Sequence, residues 1–139
     1  MKDPRDELLE NIVRDWAKSQ PVEVSVALAT KGGSRLVRIE PKNVQAVSVS
    51  LWVADDGAHA ACSIGGGSWW DRAVSLERDS IVELLSAVAD GKAWEEVRRL
   101  GVHIVGRRGY IELPSRRLTY GQFFGVPGIE WQEESHQPY

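Results

Sequence analysis

Leu8, Leu9, Ile12, Val13 and Trp16 recur along one stripe at helical period, just behind Asp3-Pro4 and the acidic pair Asp6-Glu7. An aspartate suits the N-cap, a proline the first helical position, and carboxylates the positive end of the helix dipole. The pattern therefore predicts an N-terminal helix with one buried face, ended by Pro21. From Val22 onward the period drops from 3.6 to 2. Val22, Val24, Val26 and Leu28 alternate with Glu23, Ser25, Ala27 and Ala29, which predicts a half-buried strand. Gly32-Gly33 supplies a two-residue hairpin turn. Closing the hairpin there sets Leu28 opposite Val37 and Val26 opposite Ile39, so the two apolar faces coincide.

Pro41-Lys42-Asn43 turns the chain into a third strand with Val47, Val49, Leu51 and Val53 inward and Ser48, Ser50 and Trp52 outward. After Asp55-Asp56-Gly57, a fourth strand carries Ala58, Ala60, Cys62 and Ile64 on the face that meets Val49 and Leu51. Gly65-Gly66-Gly67-Ser68 reads as a loop or bulge, with a weakly marked further strand over residues 69–76. Ser80-Ile81-Val82-Glu83 matches a capping box ahead of a core stripe of Ile81, Leu84, Leu85 and Val88, with Gly91 as terminator. A shorter helix is predicted over 93–100, presenting Trp94 and Val97 and stopping at Gly101. Residues 102–105 and 110–113 then form a closing hairpin around Gly106-Arg107-Arg108-Gly109, which sets His103 opposite Glu112.

These elements spell an α+β fold: an N-terminal helix, a four-stranded antiparallel meander, two helices and a C-terminal β-hairpin, with the helices on one face of the sheet. The chain reads as one domain over residues 1–131, followed by a polar tail at 132–139 that is expected to fray.

The 139 residues suffice for one real core, and 42% apolar with 27% charged residues is ordinary globular composition. Net charge is −3, from 17 basic and 20 acidic side chains, so no global field draws the chain to nucleic acid or to an anionic membrane. Arginine outnumbers lysine twelve to five, a hint of a GC-rich, bacterial source. Cys62 is the single cysteine, which excludes an internal disulfide and fits a reducing compartment. A charged N-terminus without an apolar core, and no run near the roughly 20 apolar residues that span a bilayer, point to a cytoplasmic protein.

No catalytic residue, metal site or cofactor is assigned. His59, His103 and His136 stand far apart and lack a second ligand at metal-binding spacing. Cys62 alternates with Ala60 and Ile64 and so belongs to the core rather than to nucleophilic chemistry. The glycine run at 65–67 is followed by Trp69-Trp70-Asp71 instead of the lysine and helix of a phosphate loop. Arg107, Arg108, Arg116 and Arg117 with Tyr110 and Tyr120 resemble a nucleic-acid patch, but a hairpin tip is the ordinary home of such arginines.

The unusual feature is six Trp against two Phe. Alternation places Trp52 on the same outward face as Ser48, Ser50, His59 and Ser63, and a tryptophan among small polar neighbours is what a binding surface needs. The expected binding residues are Trp52, His59, Trp69, Trp70, Asp71 and Phe124. They predict a non-catalytic protein-interaction domain of the immunity or antitoxin kind, binding a protein partner or a second copy of itself. The alternative is a small-molecule-binding protein or enzyme. There Trp52, Trp70 and Phe124 would line a cleft between sheet and C-terminal segment, with Asp71 or His59 as the polar group.

Overall fold

The computed structural model describes residues 3–31, 34–43, 45–65, 67–123, 130–134 and 138–139. Helix α1 (Pro4–Lys18) starts as the residues dictate. The Asp3 carboxylate accepts from the Arg5 amide at 2.8 Å, Pro4 opens the helix, and the Ser19 hydroxyl closes it by donating to the Trp16 carbonyl at 2.7 Å. Its stripe of Leu9, Ile12, Val13 and Trp16 is buried.

Five strands follow as an antiparallel meander in sequence order: β1 (Val24–Lys31), β2 (Ser34–Pro41), β3 (Val49–Val53), β4 (His59–Ile64) and β5 (Ser68–Ser75). Leu28 pairs with Val37 and Val26 with Ile39, as the matching of apolar faces requires. Leu51 pairs with Cys62 and Val49 with Ile64. Val37, Ile39, Val49, Leu51, Ala60, Cys62 and Ile64 are buried in one cluster with the α1 stripe and with Ile81, Leu84, Leu85 and Val88 of helix α2 (Arg78–Ala89). Both helices therefore lie on the same face of this sheet.

The expected start of α2 at a Ser80–Glu83 capping box is corrected. The helix begins a turn earlier, with Glu77 at the N-cap and no side chain capping it. The strand end sets that start, because the Glu77 amide donates to the Ser75 carbonyl in a tight turn and Ile81 then donates back to Glu77.

The predicted fold class is also overturned. Residues 93–100, read as a short helix, are strand β6 (Ala93–Leu100), and the expected closing hairpin is one continuous strand, β7 (His103–Glu112). With β8 (Arg117–Phe123) and β9 (Gln132–Glu134) they build a second antiparallel sheet in the order β8-β7-β6-β9. The described residues thus hold two helices and two sheets, of five and four strands, in place of two helices after a four-stranded meander and a terminal hairpin. Chain reversal occurs at Gly101-Val102, where Gly101 has φ +64° and Leu100 faces His103. Gly106-Arg107-Arg108-Gly109 runs straight through mid-strand, so His103 and Glu112 stand at opposite ends of β7 and do not pair.

Within the stretch read as a tail, β9 pairs with β6 through Glu133 and Glu96. Tyr139 meets the Trp16 ring edge-on at 6.3 Å, and its amide donates to Ala89. Among the described residues, no helix is long and apolar enough to cross a membrane.

The second sheet leans on β5, and the contact is polar at its centre. Glu95, fully buried, accepts from the Ser68 hydroxyl and from Arg107 Nη1, each at 2.7 Å. The Trp70 indole donates to the Thr119 carbonyl at 2.9 Å, and Arg116 reaches the Ala73 carbonyl at 2.5 Å. Strands β6 and β8, with Arg116 just ahead of β8, are thereby pinned to one strand of the first sheet.

Candidate binding face

Helices cover one face of the five-stranded sheet, and the other is where alternation put Trp52. Register aligns Arg38, Ser50, Ser63 and Trp69 in one cross-strand row, with Trp52 beside Ala61 in the next. Trp69 is 44% exposed and touches the Tyr120 ring at 6.2 Å. Its neighbours in the row are small hydroxyls, which leave the indole standing above a flat surface.

Trp70 follows Trp69 on a strand, so it must point to the opposite side. It registers with buried Cys62, packs against the core and meets Tyr120 edge-on. Trp70 is thus part of the joint between the sheets, apart from the row that carries Trp69.

Trp52 is half-buried and lines a dent of about 70 Å³ with Ala54, Asp55, Asp71 and Arg72. The dent arises at a bulge. Cys62 pairs with Trp70 and Ala60 with Val74, so β5 sets Asp71, Arg72 and Ala73 against Ala61 alone. The structure therefore brings Trp52 and Asp71 together. Such a volume holds a water or two, against about 300 Å³ or more for a ligand pocket.

His59 belongs to the preceding turn. Its Nδ1 lies 2.6 Å from Asp56 Oδ2, while Asp56 Oδ1 accepts from the Ala58 and His59 amides at 2.9 and 3.1 Å. The Ala58 amide, and after it the His59 ring, hold the Asp56 carboxyl below the ordinary carboxylate range. Arg72 also reaches Asp56, at 3.3 Å, which closes the rim of the dent with charges already paired to each other. Phe124 lies outside the described residues.

Cys62 is fully buried, and burial pushes its thiol up to about 12. Folded protein is expected to leave Cys62 unmodified by an aromatic disulfide reagent at pH 8, with one thiol released on adding denaturant. Rapid labelling without denaturant would contradict the burial. Among the described residues, no three His, Cys, Asp or Glu side chains gather as metal ligands. The arginines that mimic a nucleic-acid patch are engaged within the chain: Arg107 with Glu95, Arg108 with Glu96, Arg117 with Glu112, and Arg116 with a backbone carbonyl.

Two groupings escaped the reading of the residues. One is the buried Ser68–Glu95–Arg107 cluster. The other is the outer face of the second sheet, where Trp94 stacks on Tyr110 at 5.1 Å and Arg117 lies over both rings. Arg98 and Arg108 stand 4.4 and 3.9 Å from the centre of the Trp131 ring. Trp94, expected in a helix core, instead faces outward beside Tyr110.

Comparison with known proteins adds no assignment. No family model, curated protein or solved structure matches this chain.

Proposed function

We propose that this chain is a non-catalytic protein-binding module that takes a partner protein on the open face of the five-stranded sheet. The observation that carries the reading is Trp69, an indole 44% exposed beside the small hydroxyl side chains of Ser63 and Ser50 and braced by Tyr120. A large, rigid aromatic on a flat surface gains much by burial under a partner and loses little side-chain entropy in doing so. Trp52, Asp71 and Arg72 at the neighbouring dent provide a polar rim around that anchor. Neutralisation of a partner, in the immunity or antitoxin manner, is the form of this activity that asks for a binding face and no reaction centre.

The test compares wild type with Trp69→Ala as baits on a lysate of the source organism, with quantitative mass spectrometry of what is retained. Truncating a hot-spot tryptophan costs about 2 kcal/mol or more of binding, roughly a thirtyfold loss of affinity. Its effect on folding is expected to stay within about 1 kcal/mol, because the side chain is half exposed. One protein retained by wild type and lost from the variant, with unchanged circular dichroism, supports the reading. Identical retained sets on both baits overturn it.

A further inference from the structure

We infer that β1 is a pairing edge for a second copy of this chain, joining two five-stranded sheets into one of ten strands. β1 is the outer strand of its sheet, and among the described residues nothing pairs with its free side. An edge strand presents unpaired N–H and C=O groups, and monomeric proteins usually blunt it with charge, proline, a bulge or brevity. Residues 24–30, Val-Ser-Val-Ala-Leu-Ala-Thr, carry no charge, no proline and no glycine. The other edges differ. β5 is contacted by the second sheet through Trp70 and Ser68, β8 carries the charge of Arg117 and a mid-strand Gly121, and β9 is three residues long with two glutamates.

The strand is also complementary to itself. An antiparallel pair about a two-fold axis at Ala27 sets Val26 against Leu28, Ser25 against Ala29 and Val24 against Thr30 of the second copy. Every such pair joins positions of like parity, so outward-facing backbone groups meet outward-facing groups and each side-chain face meets its own kind. The same register sets Glu23 opposite Lys31, the last residue of β1, at both ends, an acid against a base bracketing the uncharged stretch 24–30. Glu23 at present makes a long, solvent-exposed pair with Lys42 at 3.8 Å, which leaves it free to reorient.

The helix side of the strand supplies the apolar component. Leu28 is 40% exposed, and Val24 and Val26 are only partly covered by the core. Beside them an open groove of about 450 Å³ runs between the end of α1 and β1, with Val22, Val24 and Val26 on its wall and Arg14, Lys18, Gln20 and Glu23 among its polar lining. In the register described, Leu28 and Thr30 of the second copy lie opposite Val26 and Val24, the groove's strand residues. On the other side Ser25, Ala27 and Ala29 are small and exposed, so nothing there obstructs the approach. A seven-residue strand pair is a small interface, for which a dissociation constant of about 1–100 μM is expected.

The experiment reads association and register separately. Sedimentation of wild type over a concentration series should move from 15.5 kDa toward twice that mass. Ala27→Lys sets two like charges against each other on the axis, at an exposed position that leaves the core intact, and should weaken the dimer at least about tenfold. Glu23→Lys should weaken it too, and adding Lys31→Glu should restore it. Mild oxidation of Ala27→Cys should link two copies, because residues facing across an antiparallel pair have Cα atoms within about 4.5–5.5 Å, inside disulfide reach. Ala29→Cys is the control. Its counterpart lies four residues along, about 13 Å away, and should stay unlinked; the native Cys62 is buried. A wild-type monomer up to several hundred micromolar overturns the inference. So does a dimer indifferent to Ala27→Lys, one dissolved by Trp69→Ala instead, or equal cross-linking of the two cysteine variants.

Discussion

Glu95→Ala will lower the free energy of unfolding by about 3–5 kcal/mol, read from the midpoint of a urea titration at pH 7. Glu95 has no exposed surface, and its Oε2 accepts from both Arg107 and Ser68 at 2.7 Å. Truncation leaves a guanidinium with only 12% of its side chain exposed and no carboxylate beside it, together with a buried hydroxyl that has lost its acceptor. The pairs on the outer face of the same sheet calibrate the size of the effect. Glu96–Arg108, at 3.3 Å and with both side chains about a quarter to a third exposed, should cost about 1 kcal/mol or less when Glu96 is truncated. Replacing both members of the buried pair, as Glu95→Leu with Arg107→Met, should recover most of the loss, since no uncompensated charge then remains. A Glu95→Ala cost below about 1 kcal/mol would mean that Arg107 is solvated and that the joint between the sheets is not the closed cluster described.

That joint also bears on binding. Ser68 and Trp69 are adjacent on β5, so the group that anchors the second sheet sits one residue from the indole proposed to anchor a partner. Glu95→Ala should therefore weaken retention of a partner as well as stability, whereas Glu96→Ala should leave retention unchanged.

The same glutamate explains why half of the fold was illegible. In Ala93-Trp94-Glu95-Glu96-Val97-Arg98 the inward positions are Ala93, Glu95 and Val97. A charge on the buried side and a tryptophan on the outer side erase the apolar–polar alternation that marks a strand. What remains is a composition rich in helix formers, with Trp94 and Val97 at helical spacing, and strand pairing with β7 and β9 overrides it. The turns misled in the same way. Val102, 88% exposed at the tip of the β6–β7 turn, looks like strand, while the two glycines inside β7 look like a turn. By contrast α1 and the β1–β4 registers were readable, because a capped amphipathic stripe and matched apolar faces are local facts. Parity likewise placed Trp52 outward. It also forbids Trp70 from sharing the face of Trp69, and the bulge that brings Asp71 and Arg72 to Trp52 depends on β4–β5 pairing that residues 60–74 do not announce.

The two surfaces proposed for this chain are compatible. A two-fold axis through Ala27 perpendicular to the sheet keeps both helical layers on one side and both open faces on the other. A dimer would then present two Trp69 anchors on one continuous surface, and a partner with two matching sites would gain by avidity without any new contact. The two proposals still fail independently. Ala27→Lys should abolish that gain while leaving the affinity for a single site intact, and Trp69→Ala should do the reverse.

Gly109→Ala should destabilise the fold by about 1–3 kcal/mol, lowering Tm by roughly 3–10 °C. Gly109 faces Glu95 across the β6–β7 pair, in the middle of a strand, and a methyl group added there falls on Oγ and Cβ of Ser68. Ser68 Cβ is fixed to the β5 backbone, so no rotation of the side chain relieves the overlap. Either β5 and β7 separate or Ser68 gives up its hydrogen bond to Glu95. Both responses open the joint that Glu95→Ala opens from the other side. Ser68→Gly removes the obstructing atoms and by itself should cost about 1–2 kcal/mol for the lost hydrogen bond. Combined with Gly109→Ala it should cost less than the sum of the two single changes, because the added methyl then occupies the space the serine leaves. Strict additivity would place Gly109 and Ser68 out of contact, and with them the strand of the first sheet from the centre of the second. Non-additivity in the expected direction, together with full sensitivity to Glu95→Ala, would identify one close-packed contact as the point on which both sheets turn.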